Sequence, residues 1–150
     1  MNYKELIKGG LLKKEKIGFD EISKVLEKAH QKIKSAYVLV KNDDAENGFQ
    51  LAYEAMLLAG RALVFSYDFR PRATSSHKIV VQFSEIILKK DYKNLTDKFN
   101  KARLKRNYLI YGIGLAISKT EAENALKTAE QFVDKISEII RKKNPQKELI

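Results

Sequence analysis

The residues best suited to chemistry lie in a basic segment that contains Arg103, Arg106 and Asn107. Around them the apolar residues follow helical spacing, because at 100° per residue they fall on one stripe. Arg106 lies near the centre of this stripe, which contains Leu95, Phe99, Ala102, Leu109, Ile110 and Ile113. A guanidinium stays charged and is costly to bury alone. We therefore expect Arg106 to meet a carboxylate, the C-terminal end of a helix, a partner subunit or a bound anion.

Two simpler arrangements are open for Arg106. Its side chain could extend to solvent, or it could pair with an acidic residue such as Glu54 or Glu85. His77 is a second candidate for chemistry, because a helix start lowers the pKa of an imidazole and favours its neutral form. The alternative for His77 is a capping or surface role. We expect His30, on the outer edge of a helix, to lie at the surface.

Long amphipathic helices must position these residues. The predicted spans are 20–41, 45–67, 76–90, 94–111 and a last helix that begins after Ser118. Asp20 is expected to cap the first helix, and the segment from Ser118 to Glu121 has the pattern of a capping box. The second helix is apolar nearly all round, which predicts a central position. Short turns favour antiparallel neighbours, so the predicted fold class is all-α, an antiparallel bundle of about five helices.

The remaining segments are short. Residues 1–18 are interpreted as an N-terminal extension, in which residues 3–12 are a candidate for a short extra helix. Residues 19–143 form the helical domain, and residues 144–150 are a polar tail. The basic stretch 69–76, which contains Pro71, is predicted to be a loop.

Composition narrows the classes of function. The 150 residues include no cysteine and two histidines, which excludes disulfides and thiolate metal sites, and we expect no metal or other cofactor. No signal peptide is visible, and no apolar run approaches the roughly 20 residues of a membrane span, so we expect a cytoplasmic protein without a membrane partner. The net charge of +10 suits RNA or a nucleotide, although a solvated lysine-rich surface explains it equally well.

Three motifs resemble those of the HEPN family, in the same order. They are Ala52-Tyr53-Glu54-Ala55-Met56, Ser76-His77-Lys78, and the segment RLKRNYLIY from Arg103 to Tyr111. The resemblance covers about residues 20–141. It implies an all-α domain that commonly forms a homodimer, in which Arg and His of two subunits meet in a cleft and cut RNA without a metal. The Arg would stabilise the phosphorane charge, and the His would activate the 2′-hydroxyl.

The resemblance also implies which residues form the site. It assigns catalysis to Arg106, Asn107 and Tyr111. It assigns RNA or phosphate binding to Arg103, Arg106, His77 and Lys78. Tyr111 stands five residues after Arg106, where active relatives have histidine, and a tyrosine with a pKa of about 10 is a poor base at neutral pH. Ile113 stands where some antitoxin-paired relatives have a modifiable tyrosine.

Three functions are compatible with these residues. The first is a metal-independent endoribonuclease, the toxin of a toxin–antitoxin system, whose partner is a nucleotidyltransferase-type antitoxin. The second is a non-catalytic RNA- or nucleotide-binding module, in which Tyr111 gives a hydrogen bond or a stacking surface. The third is a protein-interaction module, in which Arg106 bonds across a homodimer interface.

Overall fold

The computed structural model describes residues 2–111 and 116–144. Within these ranges six α-helices, two three-residue strands and one short 3₁₀ turn follow one another. In chain order they are α1 (Tyr3–Lys8), β1 (Leu12–Lys14), α2 (Phe19–Lys41), α3 (Ala45–Ser66), β2 (Phe69–Pro71), α4 (Ser76–Leu88), the 3₁₀ turn (Lys90–Tyr92), α5 (Lys93–Ile110) and α6 (Lys119–Lys143). The all-α bundle predicted from the sequence is thereby confirmed.

Helix α3 is the centre of the bundle, as its apolar composition predicts. It contacts α2, α4, α5, α6 and β2. Thirteen of its 22 residues are buried, and they occupy every side of the helix. The residues that α3 presents to its neighbours therefore decide how the other helices are placed.

Helices α2 and α6 cover α3 with one apolar face each. Helix α6 begins with the predicted capping box, since the Glu121 N–H donates to Ser118 Oγ (3.1 Å) and the Ser118 N–H to Glu121 Oε1 (3.4 Å). Helix α2 begins one residue earlier than expected. The prediction that Asp20 caps it is wrong, because Gly18 holds the N-cap position and Asp20 lies in the first turn, where its charge still favours the helix dipole.

Helices α4 and α5 pack on another side of α3. Gly60 of α3 permits this close approach, because a Cβ atom there would lie 2.4 Å from Val80 Cγ1 of α4. Helix α4 ends at Leu88, two residues before the predicted end. Lys89 has a φ of +60°, which interrupts the helical conformation and lets the chain turn towards α5.

A two-stranded antiparallel sheet replaces part of the predicted loop. Strand β1 pairs with β2, with Leu12 opposite Pro71 and Lys14 opposite Phe69. The prediction of a loop over residues 69–76 is wrong for its first three residues, because their partner strand lies more than 50 residues away in the sequence. Leu12 and Leu6 of α1 are buried, so the N-terminal segment packs on the core.

Two apolar residues of the predicted inward stripes are exposed. Tyr37 of α2 is 52% exposed, and its hydroxyl donates to Glu130 of α6. Ile110 of α5 is 48% exposed, because it lies in the last turn of that helix. Ile113 and the tail from Pro145 lie outside the described residues.

Candidate functional site

A buried tyrosine and a histidine join α3 to the start of α4. The Tyr53 hydroxyl and His77 Nδ1 are 2.9 Å apart, and Tyr53 has no exposed surface. Within the described chain, Nδ1 of His77 is the hydrogen-bond partner of the Tyr53 hydroxyl. A buried O–H must donate to be satisfied, so we assign Tyr53 as donor and Nδ1 as acceptor. The proton of the neutral imidazole is then on Nε2, which is a hydrogen-bond donor.

Arginine charges surround this pair. The pKa of Tyr53 is raised to about 12 by burial, which the positive charges of Arg106, Arg103 and Arg61 partly oppose. The pKa of His77 is lowered, first by burial and then by Arg106, Arg61 and Arg103. At neutral pH both groups are therefore uncharged. The positive potential at this point comes from three guanidinium groups on α3 and α5.

Arg106 is half-buried, and its guanidinium carbon lies 5.8 Å from the centre of the Tyr53 ring. This geometry is a cation–π contact. The simpler arrangement in which Arg106 pairs with Glu54 or Glu85 is not observed. Glu54 instead pairs with Lys32 at 3.2 Å. Across residues 2–111 and 116–144, the ion pairs leave out all three arginines around His77.

Arg103 lies one turn before Arg106 on α5. Its Nε donates to Asn100 Oδ1 at 3.1 Å, which restrains the guanidinium without neutralising it. The charge of Arg103 also reaches Glu85 of α4. The pKa of Glu85 is raised by burial and by Asp97, and Lys93 and Arg103 oppose that rise. We call Arg61, Arg103 and Arg106, together with His77 and Tyr53, the arginine cluster.

The structure brings together part of the site expected from the sequence. Arg103, Arg106 and His77 belong to one cluster. Ser75 holds the N-cap position of α4, and the half-buried ring of His77 is bonded to Tyr53. Asn107 is half-buried on α5, next to Arg106. Lys78 is exposed in the first turn of α4. Tyr111 is 77% exposed at the C-cap of α5. His30 is exposed, as expected.

Sequence reasoning missed Tyr53 and Arg61 as members of the cluster. Tyr53 stands in the Ala52–Met56 motif, but nothing in that motif indicates a bond to a residue 24 positions away. Arg61 is the one charged residue in the apolar run from Ala55 to Phe65, and that isolation was an available signal.

The outer face of α5 carries an apolar stripe. Leu104, Tyr108 and Tyr111 are spaced by four and three residues, which places them on one side of the helix. They are 45%, 50% and 77% exposed. We call these three residues the outer stripe. It lies on the same helix as Arg103 and Arg106.

Among the residues that the structure describes, no group of three or more His, Cys, Asp or Glu side chains has the arrangement to hold a metal ion. Among the helices of residues 2–111 and 116–144, none combines the length and the apolar character that a membrane crossing requires.

The described part of the chain is thus an all-α helical bundle. The family model described as "HEPN domain" matches residues 22–140, which is most of the chain. The protein therefore belongs to the HEPN domain family. No curated protein matches the sequence.

Proposed function

We propose that this HEPN-domain protein binds RNA, and that the arginine cluster holds a backbone phosphate. The observation that carries the proposal is the convergence of Arg61, Arg103 and Arg106, none of which forms an ion pair with a carboxylate among the described residues. Guanidinium groups left without an acidic partner favour a polyanion, since a phosphate offers bidentate hydrogen bonds to each of them. Neutral His77 adds its Nε2–H as a further donor.

In this proposal the site is completed by a homodimer. The outer stripe of α5 is an exposed apolar surface on the helix that carries Arg103 and Arg106, and covering it with the same surface of a second copy would form a cleft between the two α5 helices. Asn107 would donate to a phosphate oxygen at the edge of that cleft. Lys78 would add charge at the start of α4, and Tyr111 would give a hydrogen bond or a stacking surface for a base.

RNA binding is tested with a single-stranded oligonucleotide of roughly 12 nucleotides, measured by fluorescence anisotropy over a range of salt concentrations. Arg106→Gln should weaken binding by about tenfold or more and reduce the salt slope by about 0.7, since one phosphate contact is lost. Arg72→Gln is the matched control, because Arg72 is an exposed arginine beyond strand β2. Equal affinity of the wild type and Arg106→Gln would reject the site.

A second candidate function is metal-independent RNA cleavage by a toxin of a toxin–antitoxin system. The observation in its favour is that His77 is an imidazole kept neutral beside Arg106, in a chain whose motif has Tyr111 in place of histidine. As base, His77 would take the proton of a 2′-hydroxyl while that oxygen attacks the adjacent phosphorus. Arg106 would stabilise the phosphorane, and loss of the 5′-oxygen with a proton would leave a 2′,3′-cyclic phosphate.

The tautomer assigned above argues against this second candidate. A base needs a free lone pair, but Nδ1 accepts from Tyr53 and Nε2 carries the proton. Cleavage would require the opposite tautomer, which would leave the buried Tyr53 proton without an acceptor. RNA binding therefore ranks first.

Cleavage is tested with purified protein and labelled RNA in the presence of EDTA. If the second candidate is right, Arg106→Ala and His77→Asn should each abolish a cleavage that Tyr111→Phe retains. Cleavage unaffected by Arg106→Ala would point to a contaminating nuclease. The toxin role would further require that expression arrests growth, and that a nucleotidyltransferase encoded beside the gene relieves the arrest.

A further inference from the structure

A groove of about 570 Å³ runs between α5 and α6. Its floor is apolar and comes from three helices. Met56 and Phe49 of α3 are buried beneath it, and the small residues Ala102 of α5 and Ala125 of α6 leave room above them. The groove is therefore a preformed concave surface with a hydrophobic floor.

Four lysines line this groove. Lys98, Lys101 and Lys105 follow one another along α5 at spacings of three and four residues, and Lys127 faces them from α6. The one carboxylate in the lining is Glu121, and Lys105 already donates to it. Because the lining has four cations and one anion, its net charge is +3. Lysine is a flexible, strongly hydrated point charge, which suits phosphates spaced along a strand.

Helix α6 adds to the positive potential and supplies polar groups. One end of the groove, at Glu121, reaches the first turn of α6, where the helix dipole is positive. Asn124 and Gln131 expose their amides in the lining. An amide offers both a donor and an acceptor to the edge of a base, and the apolar floor offers a surface for its ring.

Arg106 lies on the buried stripe of α5, and the lysines of the groove lie beside that stripe. Arg106 and Lys105 are neighbours in the sequence, so their side chains leave the helix about 100° apart. From Lys105 the lysines continue to Lys98 over about 10 Å of helix, at a rise of 1.5 Å per residue. Lys101 lies one turn before Leu104 on the same side of the helix, so a homodimer formed through the outer stripe would lie beside this row of lysines.

We propose that the α5–α6 groove is a second phosphate-binding site, which takes the backbone of the same single RNA strand that the arginine cluster holds. A strand that leaves the cluster passes beside α5 and places successive phosphates on Lys105, Lys101 and Lys98. This inference rests on the proposed RNA binding. It adds that the substrate is single-stranded and longer than the cluster alone can hold.

The test compares two RNA probes on three proteins. The groove variant carries Lys98→Gln, Lys101→Gln and Lys127→Gln. The control variant carries Lys24→Gln, Lys28→Gln and Lys34→Gln, three exposed lysines of α2 that remove the same charge elsewhere. The probes are a trinucleotide and a strand of roughly 12 nucleotides. The groove variant should lose about tenfold or more in affinity for the long strand, with a salt slope smaller by about 2, and less than about twofold for the trinucleotide.

Each outcome separates this inference from the function on which it rests. Equal affinities of the groove and control variants, with binding still sensitive to Arg106→Gln, would overturn the groove and leave the cluster. A groove variant that weakens binding while Arg106→Gln does not would support the groove and reject the cluster.

A wild-type protein that binds neither RNA would overturn both the groove and the cluster. If poly-glutamate of matched charge binds as tightly as RNA and loses affinity equally in the groove variant, the groove is a docking surface for an acidic protein and the RNA path is rejected.

Discussion

The Tyr53 hydroxyl lies 2.9 Å from Nδ1 of His77, so a fully buried side chain of the central helix determines which nitrogen of a partly exposed imidazole carries the proton. The same imidazole lies in the field of three arginines. Of these, Arg106 lowers the pKa of His77 the most. The hydrogen bond orients the ring, and burial together with the guanidinium charges keeps it neutral. Both effects can be tested separately.

The first prediction concerns the charge of His77. A positive guanidinium disfavours the imidazolium, so it lowers the pKa of His77, and its removal must raise that pKa. In Arg106→Gln the His77 pKa, measured by NMR titration of the ring signals, should therefore move up towards the ordinary value of about 6.5. Arg72→Gln should leave the titration unchanged. A His77 pKa that is unaltered in Arg106→Gln would show that the two groups are not coupled.

The second prediction concerns stability at mildly acidic pH. The folded-state pKa of His77 is lowered, so below about pH 6.5 the unfolded chain takes up a proton that the folded protein does not. The free energy of unfolding should therefore be highest above pH 6.5 and fall as the pH decreases from 6.5 to the folded-state pKa. Urea unfolding between about pH 7.5 and 5.5 measures this decrease, since few carboxylates titrate there.

His77→Asn separates this effect from other groups. The asparagine oxygen can still accept from Tyr53 but does not titrate, so the variant should lose most of the decrease in stability over that range. His30→Gln removes the other histidine, which is exposed, and should keep the wild-type pH dependence. If both variants lose stability with falling pH as the wild type does, the dependence does not come from His77.

Much of this fold was predictable because helical periodicity is local information. The capping box at Ser118 and Glu121 is confirmed, since its two hydrogen bonds join residues three positions apart. Helical spacing alone could not show at which residue the neighbouring helices stop covering the apolar face of a helix. Ile110 follows the apolar stripe of α5 but lies in its last turn and is half exposed. Strands of three residues are likewise too short to show a period.

The cluster was less predictable because it depends on tertiary placement. Arg106 was recognisable as an arginine on an apolar stripe. Tyr53 was not, because α3 is buried on several sides and its sequence pattern does not say which neighbour each residue meets. The bond to His77 depends on how α3 packs against α4, and Gly60 is a point of close contact between these two helices.

The third prediction tests that close packing. In Gly60→Ala the new Cβ would lie 2.4 Å from Val80 Cγ1, and Val80 is fully buried and β-branched, so it has little freedom to move. Overpacking costs about 1–3 kcal/mol, which exceeds the roughly 1 kcal/mol that alanine gains in a helix interior. The free energy of unfolding should fall by on the order of 1 kcal/mol, as measured by urea denaturation.

Gly9→Ala is the matched control for this change. A Cβ there would meet its nearest atom at 3.5 Å, an ordinary contact. The backbone of Gly9 has a φ of −76°, which alanine adopts without strain. The free energy of unfolding of Gly9→Ala should be unchanged or higher by about 0.5 kcal/mol, because alanine lowers the entropy of the unfolded chain. A destabilised Gly9→Ala with a stable Gly60→Ala would reverse this explanation of the α3–α4 contact.

The fourth prediction concerns the outer stripe of α5. If Leu104 and Tyr108 form the centre of a two-fold interface, glutamates at both positions would place like charges opposite each other, at a cost of several kcal/mol. Leu104→Glu with Tyr108→Glu should therefore change a dimer into a monomer, as measured by light scattering. The double substitution should also weaken RNA binding, because the cleft between the two copies is lost.

Val38→Glu is the control. It changes another apolar residue, 60% exposed on α2, and should leave the dimer intact. A wild type that is monomeric at high concentration, or a dimer that resists the double substitution and separates in Val38→Glu, would place the interface elsewhere or remove it. The cluster would then have to bind RNA from a single copy.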